Sequence, residues 1–485
     1  MAALSSIDMK SRAAGKVDSQ GRACEQVLEE VLYEALLKRR PADRALADCF
    51  KRNRQYGARD RRLLTESVFS VFRWWGWLRS LLSNQARQAL APGELNRRMT
   101  EGGVDSEKHS RLRSHNTPRP CLFRDDAVRL LLGAWVLDNP QDLPLAADVW
   151  TESLELAEIQ VRKICRRPKA ETRFNEYSQA LGLHMQPATW DCLLPEWARS
   201  ELAKWALPEL DEKEFLRRLQ QRPPVWIRAQ KKWNARALAA ALEKCGVETE
   251  LHPRLPQALR VTTRKVSLYA VEPFRQGAFE IQDLASQLIG LVCRPEAGQR
   301  WWDCCAGAGG KSLQLADLMG GSGTVVASDI RAGKLADLQR RARRGGYDNI
   351  ITRAWKGKPI PRKASTFHGV LVDAPCTCSG TWRRNPDRRW AVLPSELESR
   401  TKLQLRLLRA AASGVAPDGV LVYATCSWFQ PENQGVVEQF LASNPHFSLE
   451  PFTHPLTGAK TDGTMQVWPG DGDCDAVFAA RMRKT

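Results

Sequence analysis

Residues 301–312, WWDCCAGAGGKS, join a short apolar run to a string of small residues ending in Gly310-Lys311-Ser312. Trp301–Cys304 reads as a strand. The small residues after it let the backbone turn sharply, approach a ligand closely and open a helix. Two ligands compete for such a loop. A phosphate-cradling loop needs a glycine, four residues and then Gly-Lys-Ser, but the first of those positions is Cys305. A nucleoside-type cofactor instead needs an acid at the end of the next strand, about 20 residues on, to hold the ribose hydroxyls. Asp329 ends Val325-Val326-Ala327-Ser328-Asp329 at that distance. The missing glycine and the present acid favour an adenosine cofactor.

Outward from this loop, residues 274–485 alternate strand and helix patterns. Strands are expected at Trp301–Cys304, Thr324–Ser328, Val370–Val372, Val420–Ala424 and Ala476–Ala480. Strands separated by helices predict a doubly wound, mostly parallel α/β sheet, with chemistry at the carboxyl ends of its strands. Two of these strands end in cysteine, as Asp373-Ala374-Pro375-Cys376 and Ala424-Thr425-Cys426-Ser427. A single cysteine at a strand end is more often simply buried. Two of them beside a cofactor loop point to covalent chemistry. Carbon 5 of cytosine is a weak nucleophile until a thiolate adds to carbon 6, and a base must then remove the carbon 5 proton so that the thiolate can leave. A basic surround would help ionise a thiol, and Arg383, Arg384, Arg388 and Arg389 follow Cys376 closely enough to supply it or to hold phosphates.

The amino-terminal part, residues 1–165, reads as helical. Apolar residues recur at three- and four-residue steps in Cys24–Leu37, in Leu63–Leu82 and again from Asp125. Trp74, Trp75 and Trp77 fit a helical core better than a base-stacking surface. Residues 83–120 are polar and rich in glycine, serine and proline, and read as a flexible insertion. Residues 166–273 read as amphipathic helices followed by a small α+β module. In that module the strand Val225–Arg228 precedes a helix Ala235–Cys245, which ends at Gly246 in a left-handed cap.

Lys and Arg number 73 against 55 acids, a net charge of +18, which favours a polyanionic partner. The cysteines, 13 in all, are an odd number without framework spacing, so free thiols are expected rather than disulfides. No metal is expected, because neither Cys304-Cys305 nor Cys376-Thr377-Cys378 has the gap usual for one tetrahedral ion. No apolar run approaches the roughly 20 residues of a membrane span. The polar start lacks a secretory apolar core, so a cytoplasmic monomer is the default expectation, with an organellar presequence as the alternative.

These motifs, in this order, resemble the Sun/NSUN (RsmB-like) group of RNA cytosine-5 methyltransferases. The resemblance covers about residues 215–485. It rests on Gly277-Ala278-Phe279-Glu280-Ile281-Gln282-Asp283, on CAGAGGKS, on Asp373-Ala374-Pro375-Cys376 with Arg383-Arg384-Asn385-Pro386-Asp387, and on Thr425-Cys426 with Pro431-Glu432-Asn433. It implies a Rossmann-like methyltransferase domain, residues 274–485, using S-adenosyl-L-methionine. Cys426 would be the nucleophile and Cys376 would promote release, with Lys311 and Asp373 at the target base. Cys305, Ala306, Gly307, Ala308, Gly309, Gly310, Lys311, Asp329 and Asp373 would hold the cofactor. The helical region resembles a NusB-like RNA-binding domain, and the middle region resembles an RRM-like module. Together they imply an RNA partner, ribosomal before transfer RNA, opened locally so that the cytosine leaves its stack.

Three departures stand out. Ala308 replaces a usual proline. Arg353-Ala354-Trp355-Lys356 lacks the acid that normally meets the adenine, which leaves Trp355 to stack on it. Thr377 and Cys378 replace a serine and a glycine after Pro-Cys. DNA cytosine-5 methyltransferases place the nucleophile in the Pro-Cys motif and do not need Cys426. A noncatalytic RNA-binding assembly factor with a degenerate fold is the alternative from a different class, supported by the missing acid.

Overall fold

The computed structural model describes residues 2–90, 122–205, 211–263, 266–359 and 367–485. They form two compact units: Met1–Ser200 with Pro208–Gln221 and Asn385–Val392, and Glu201–Leu207 with Arg222–Arg384 and Leu393–Thr485. This division differs from boundaries at 165 and 273. The helices after 166 group with the first unit and the small module with the second.

Among its described residues the first unit is all helical. Its helices include Ala2–Leu32, Ala42–Arg52, Ala58–Leu78 and Arg124–Asp138. Their apolar faces bury Leu28, Val31, Phe72, Trp77, Leu131 and Trp150 in one core. Trp74, Trp75 and Trp77 are buried as expected, with Trp74 and Trp77 ring centroids 5.1 Å apart. The start of the insertion expected over 83–120 is helical instead. Ser83 caps a helix Asn84–Ala89, accepting from the Ala86 amide at 3.3 Å. Residues 91–120 of that expected insertion lie outside the described residues.

The second unit opens with the α+β module. Strands β1 (Val225–Ala229), β2 (Thr249–Leu251), β3 (Ala258–Val261) and β4 (Phe279–Ile281) form an antiparallel sheet in the order β2-β3-β1-β4. Helices Ala235–Lys244 and Glu272–Arg275 complete a β-α-β-β-α-β run, the RRM-like arrangement expected. Gly246 takes φ +75°, the left-handed cap read from the sequence. The module reaches Ile281, because β4 pairs with β1 beyond the expected limit at 273.

The larger sheet, eight-stranded among the described residues, is Rossmann-like. It runs β10 (Phe447–Leu449), β12 (Val477–Lys484), β9 (Val415–Thr425), β8 (Phe367–Asp373), β5 (Arg300–Asp303), β6 (Thr324–Asp329), β7 (Ile350–Ala354), with β11 (Thr464–Val467) paired to β12. Strands β5 to β9 are parallel, and β10, β11 and β12 add antiparallel pairs. Side chains alternate between two cores. Trp301, Leu371, Val422 and Ala424 face one, and Trp302, Val370, Val372, Leu421 and Tyr423 the other. Strand order reverses between β5 and β8, so the loops leaving their carboxyl ends splay apart and open a crevice there.

Candidate active site

Asp303 ends β5 with a fully buried carboxyl that accepts from the Ser312 hydroxyl at 2.6 Å, tying the loop to the helix Gly310–Leu318. Burial raises its pKa to about 7, with Asp373 adding to the shift and the Ser312 bond opposing it. Gly307 and Gly309 take φ +54° and +89°. At Gly309 a Cβ would also lie 2.4 Å from Leu338 Cγ, so turn and close packing both require glycine. The Ala306 amide donates to the Ser328 carbonyl (2.8 Å) and the Gly307 amide to Asp329 Oδ2 (2.9 Å). Ala308, in place of proline, is steadied by Arg341, whose Nη1 donates to its carbonyl at 2.8 Å.

Asp329 ends β6. Burial pushes its carboxyl up, but bonds from Arg331 and Gly307 outweigh that and hold it below the usual carboxylate range. It is therefore an anion at neutral pH, as an acceptor for ribose hydroxyls must be.

A cavity of about 600 Å³ opens at this crevice, lined by Cys304 to Ala308, Asp329, Trp355, Asp373 and Pro375. Of the residues read as cofactor-binding, Cys305, Ala306, Gly307, Ala308, Asp329, Trp355 and Asp373 line it. Gly309, Gly310 and Lys311 do not; the two glycines shape the turn and the helix start, and Lys311 lines a separate, smaller pocket. Trp355 donates from Nε1 to the Lys358 carbonyl (2.8 Å) and sets its edge against Trp302 at 5.0 Å, which fixes the indole in the wall. Among the described lining residues the acids are Asp329 and Asp373, so the adenine acid is absent here too. Sequence reasoning missed Arg400, Leu403, Arg406 and Leu407, one stripe of the helix Pro394–Ala412 that closes the cavity. Their three- and four-residue spacing was the available signal.

A second pocket, about 190 Å³, is lined by Lys311, Asp373, Cys426, Asp283 and Asp475 among others. Asp373 lines both spaces. Lys311 Nζ meets Asp373 Oδ2 at 2.8 Å. Burial lowers the ammonium's pKa, but Asp373 raises it more, so it stays charged. Strands β8 and β9 are in register, Asp373 opposite Ala424, and they deliver Cys376 and Cys426 side by side with Sγ atoms 3.4 Å apart. Cys378, from the same turn, lies 4.0 Å from Cys376.

Asp283 and Asp475 had drawn no role from the sequence. Asp283 caps the helix Leu284–Cys293, and Arg384 bridges both carboxylates at 2.9 and 3.2 Å. Burial raises both carboxyls.

Three of the four arginines expected to ionise Cys376 are held elsewhere. Arg383 is buried and donates to Asp473 at 2.8 Å, while Arg384 is taken by Asp283 and Asp475. Arg389 belongs to the helical unit, where it donates to the carbonyls of Leu193 (3.0 Å) and Leu219 (3.1 Å). Charge in the sequence did not reveal these partners, which lie far along the chain. The thiols consequently stay protonated in this state. Bonds with Cys378 and Cys426, then burial, push Cys376 up. For Cys426 the bond with Cys376 lowers the pKa, but Cys378 and burial outweigh it.

Comparison with known proteins decides the family. Residues 290–483 match the family model described as 16S rRNA methyltransferase RsmB/F. Ribosomal RNA small subunit methyltransferase B of Pasteurella multocida is 32% identical over 303 residues, covering 61% of this chain and 66% of that protein. The protein of the same description from Klebsiella pneumoniae subsp. pneumoniae is 30% identical over 312 residues, covering 61% of this chain and 69% of its own length. The chain belongs to the RsmB/F family. Among solved structures, PH0851 superimposes with a TM-score of 0.68 at 23% identity, covering 96% of this chain and 98% of its own. NSun6 from Pyrococcus horikoshii with SFG, an S-adenosylmethionine analogue, gives 0.52 at 20%, covering 60% and 98%. Both likenesses show the shared fold.

The cofactor of this RsmB/F chain is S-adenosylmethionine. The larger cavity fits it. Its volume falls in the range of small-molecule sites, small residues admit a close approach, an anionic Asp329 suits a ribose, and an indole suits an adenine.

Proposed function

We propose that the protein methylates carbon 5 of a cytosine in RNA, with small-subunit ribosomal RNA as substrate, through a covalent bond between Cys426 and the base. The observation carrying this reading is the pair of thiols 3.4 Å apart beside a pocket that shares Asp373 with the cofactor cavity. The relatives' description as ribosomal RNA small subunit methyltransferases supports the substrate, and the net charge of +18 supports a polyanion.

S-adenosylmethionine, when bound, supplies an electrophilic methyl group. Cys426 Sγ, once deprotonated, adds to carbon 6, and carbon 5 becomes nucleophilic enough to take that methyl. Asp373 and Lys311, joined at 2.8 Å between the two spaces, orient the base and balance charge gathering on it. Cys376 Sγ, itself deprotonated before this step, then accepts the carbon 5 proton, and the Cys426–carbon 6 bond breaks to release the product. The Lys311 ammonium is the cation placed to favour the Cys426 thiolate. The protein acts as a cytoplasmic monomer. No helix among the described residues is long and apolar enough to cross a membrane.

The test uses the protein, Cys376→Ala and Cys426→Ala with RNA and labelled S-adenosylmethionine, following label transfer and protein–RNA adducts on denaturing gels. Cys376→Ala is expected to accumulate adduct, and Cys426→Ala to give neither adduct nor product. Activity surviving in Cys426→Ala alone would reverse the two roles. RNA binding without transfer by the unmodified protein would favour an assembly factor.

A further inference from the structure

Cys376, Cys378 and Cys426 place three thiol sulfurs within 4.8 Å of one another. Spacing along the chain argued against a metal because it weighed Cys376 and Cys378 alone; the third sulfur arrives from β9. A tetrahedral zinc with bonds of about 2.3 Å sets its thiolate sulfurs roughly 3.8 Å apart. The observed 3.4 Å and 4.0 Å separations bracket that value. Cys378 holds φ +60°, a left-handed conformation that favours glycine, and this conformation turns its thiol back toward Cys376. Cys426 lines the small pocket, and it and Cys378 are only half-buried, so an ion can reach the sulfurs.

We propose that these three cysteines form a binding site for a soft, thiophilic divalent cation, Zn2+ or Cd2+, whose fourth position faces the small pocket. Each thiol releases its proton on coordination and no electron is transferred. Soft thiolate donors select such ions over magnesium or calcium. Because the ion ties up Cys376 and Cys426, its occupancy inhibits methyl transfer; this second consequence rests on the proposed catalytic roles, whereas the binding does not.

The experiment titrates Cd2+ into the full-length reduced protein and follows the thiolate-to-metal charge-transfer absorption, with Zn2+ affinity read by competition against a chromophoric chelator. Cys378→Gly is the main variant, since glycine suits the backbone there, and its thermal melt is recorded alongside to establish folding. One equivalent bound per chain is expected. Even outer-sphere changes cost metal sites about 10–100-fold in affinity, so losing a ligand should weaken binding roughly a hundredfold in Cys378→Gly and in Cys426→Ala. Zn2+ should inhibit the unmodified enzyme reversibly by chelator and spare Cys378→Gly. An unchanged Cd2+ band and affinity in folded Cys378→Gly would overturn the site. So would loss of thiols to a disulfide, seen by mass, without metal uptake.

Discussion

Glu432 and Asn433, adjacent in the chain, each grip one of the two cysteine-bearing turns. Glu432 accepts from the Thr377 amide (2.9 Å), the Thr377 hydroxyl (2.6 Å) and Gln404 (2.9 Å), holding the turn that carries Cys376. Asn433 accepts from the Thr425 hydroxyl (2.6 Å) and donates to the Ser427 carbonyl (3.0 Å), holding the turn that carries Cys426. One dipeptide therefore braces both of the turns whose thiols lie 3.4 Å apart.

Glu432→Ala is expected to loosen the Cys376 turn and destabilise the protein. Each buried donor left without a partner costs about 1–3 kcal/mol. Thermal denaturation should show the loss, and adduct release should slow more than adduct formation because Cys376 is displaced. Glu432→Gln should keep part of both. Equal slowing of the two steps would separate the turn from the proposed release role.

Gly309→Ala should weaken cofactor binding and lower stability. The side chain meets φ +89° and Leu338 at once, and strained backbone costs of order 1–3 kcal/mol. Calorimetry with S-adenosylhomocysteine measures the first effect, and unchanged affinity would show that the loop's turn is not needed for the ligand.

Trp355→Ala should raise the dissociation constant for S-adenosylhomocysteine by roughly 5- to 150-fold, the scale of about 1–3 kcal/mol for a lost base–aromatic stack. Trp355→Phe should recover most of it. An acid introduced at Ala354 that fails to tighten binding would agree with an indole already serving the adenine.

Asp303 predicts a pH dependence. Its carboxyl keeps its proton up to about pH 7 when folded, against an ordinary value of 3.8. Between those limits the fold holds a proton that the unfolded chain has lost, so stability falls as pH rises through that window. Asp303→Asn removes the titrating group and keeps an acceptor for Ser312. Unfolding free energies measured between pH 5 and 7 should decline less steeply in the variant, by up to about 1.4 kcal/mol per pH unit. Parallel slopes would contradict a raised Asp303.

Arg389→Ala is expected to cost stability without a specific loss of RNA affinity. The guanidinium is fully buried and bonded to Leu193, Leu219 and Gln220 within the helical unit. Hydrogen bonds to a charged group are worth about 1.5–3 kcal/mol. Filter binding on the folded fraction checks this. A selective fall in RNA affinity would restore the phosphate-holding role read from the sequence.

Local features were legible without coordinates. The small residues of 305–310, the acid Asp329 one strand later, and the paired strand-end cysteines need only spacing and side-chain chemistry, and they yielded the nucleoside-type cofactor loop and the covalent reading, while the alternation of strands and helices yielded the doubly wound α/β class. The tertiary structure decided which distant groups meet. Arg383, Arg384 and Arg389 read as a basic patch because charge is visible in sequence, but burial against Asp473, Asp283 and Leu193 is not. The stripe Arg400–Leu407 joined the cavity only because its helix packs over the crevice. Cys378 became a third thiol at the pair only because β9 runs beside β8. A strand's period and a turn's glycines are properties of neighbouring residues, whereas a pocket, an ion pair or a metal geometry is a property of segments brought together by burial of the two apolar faces of one sheet.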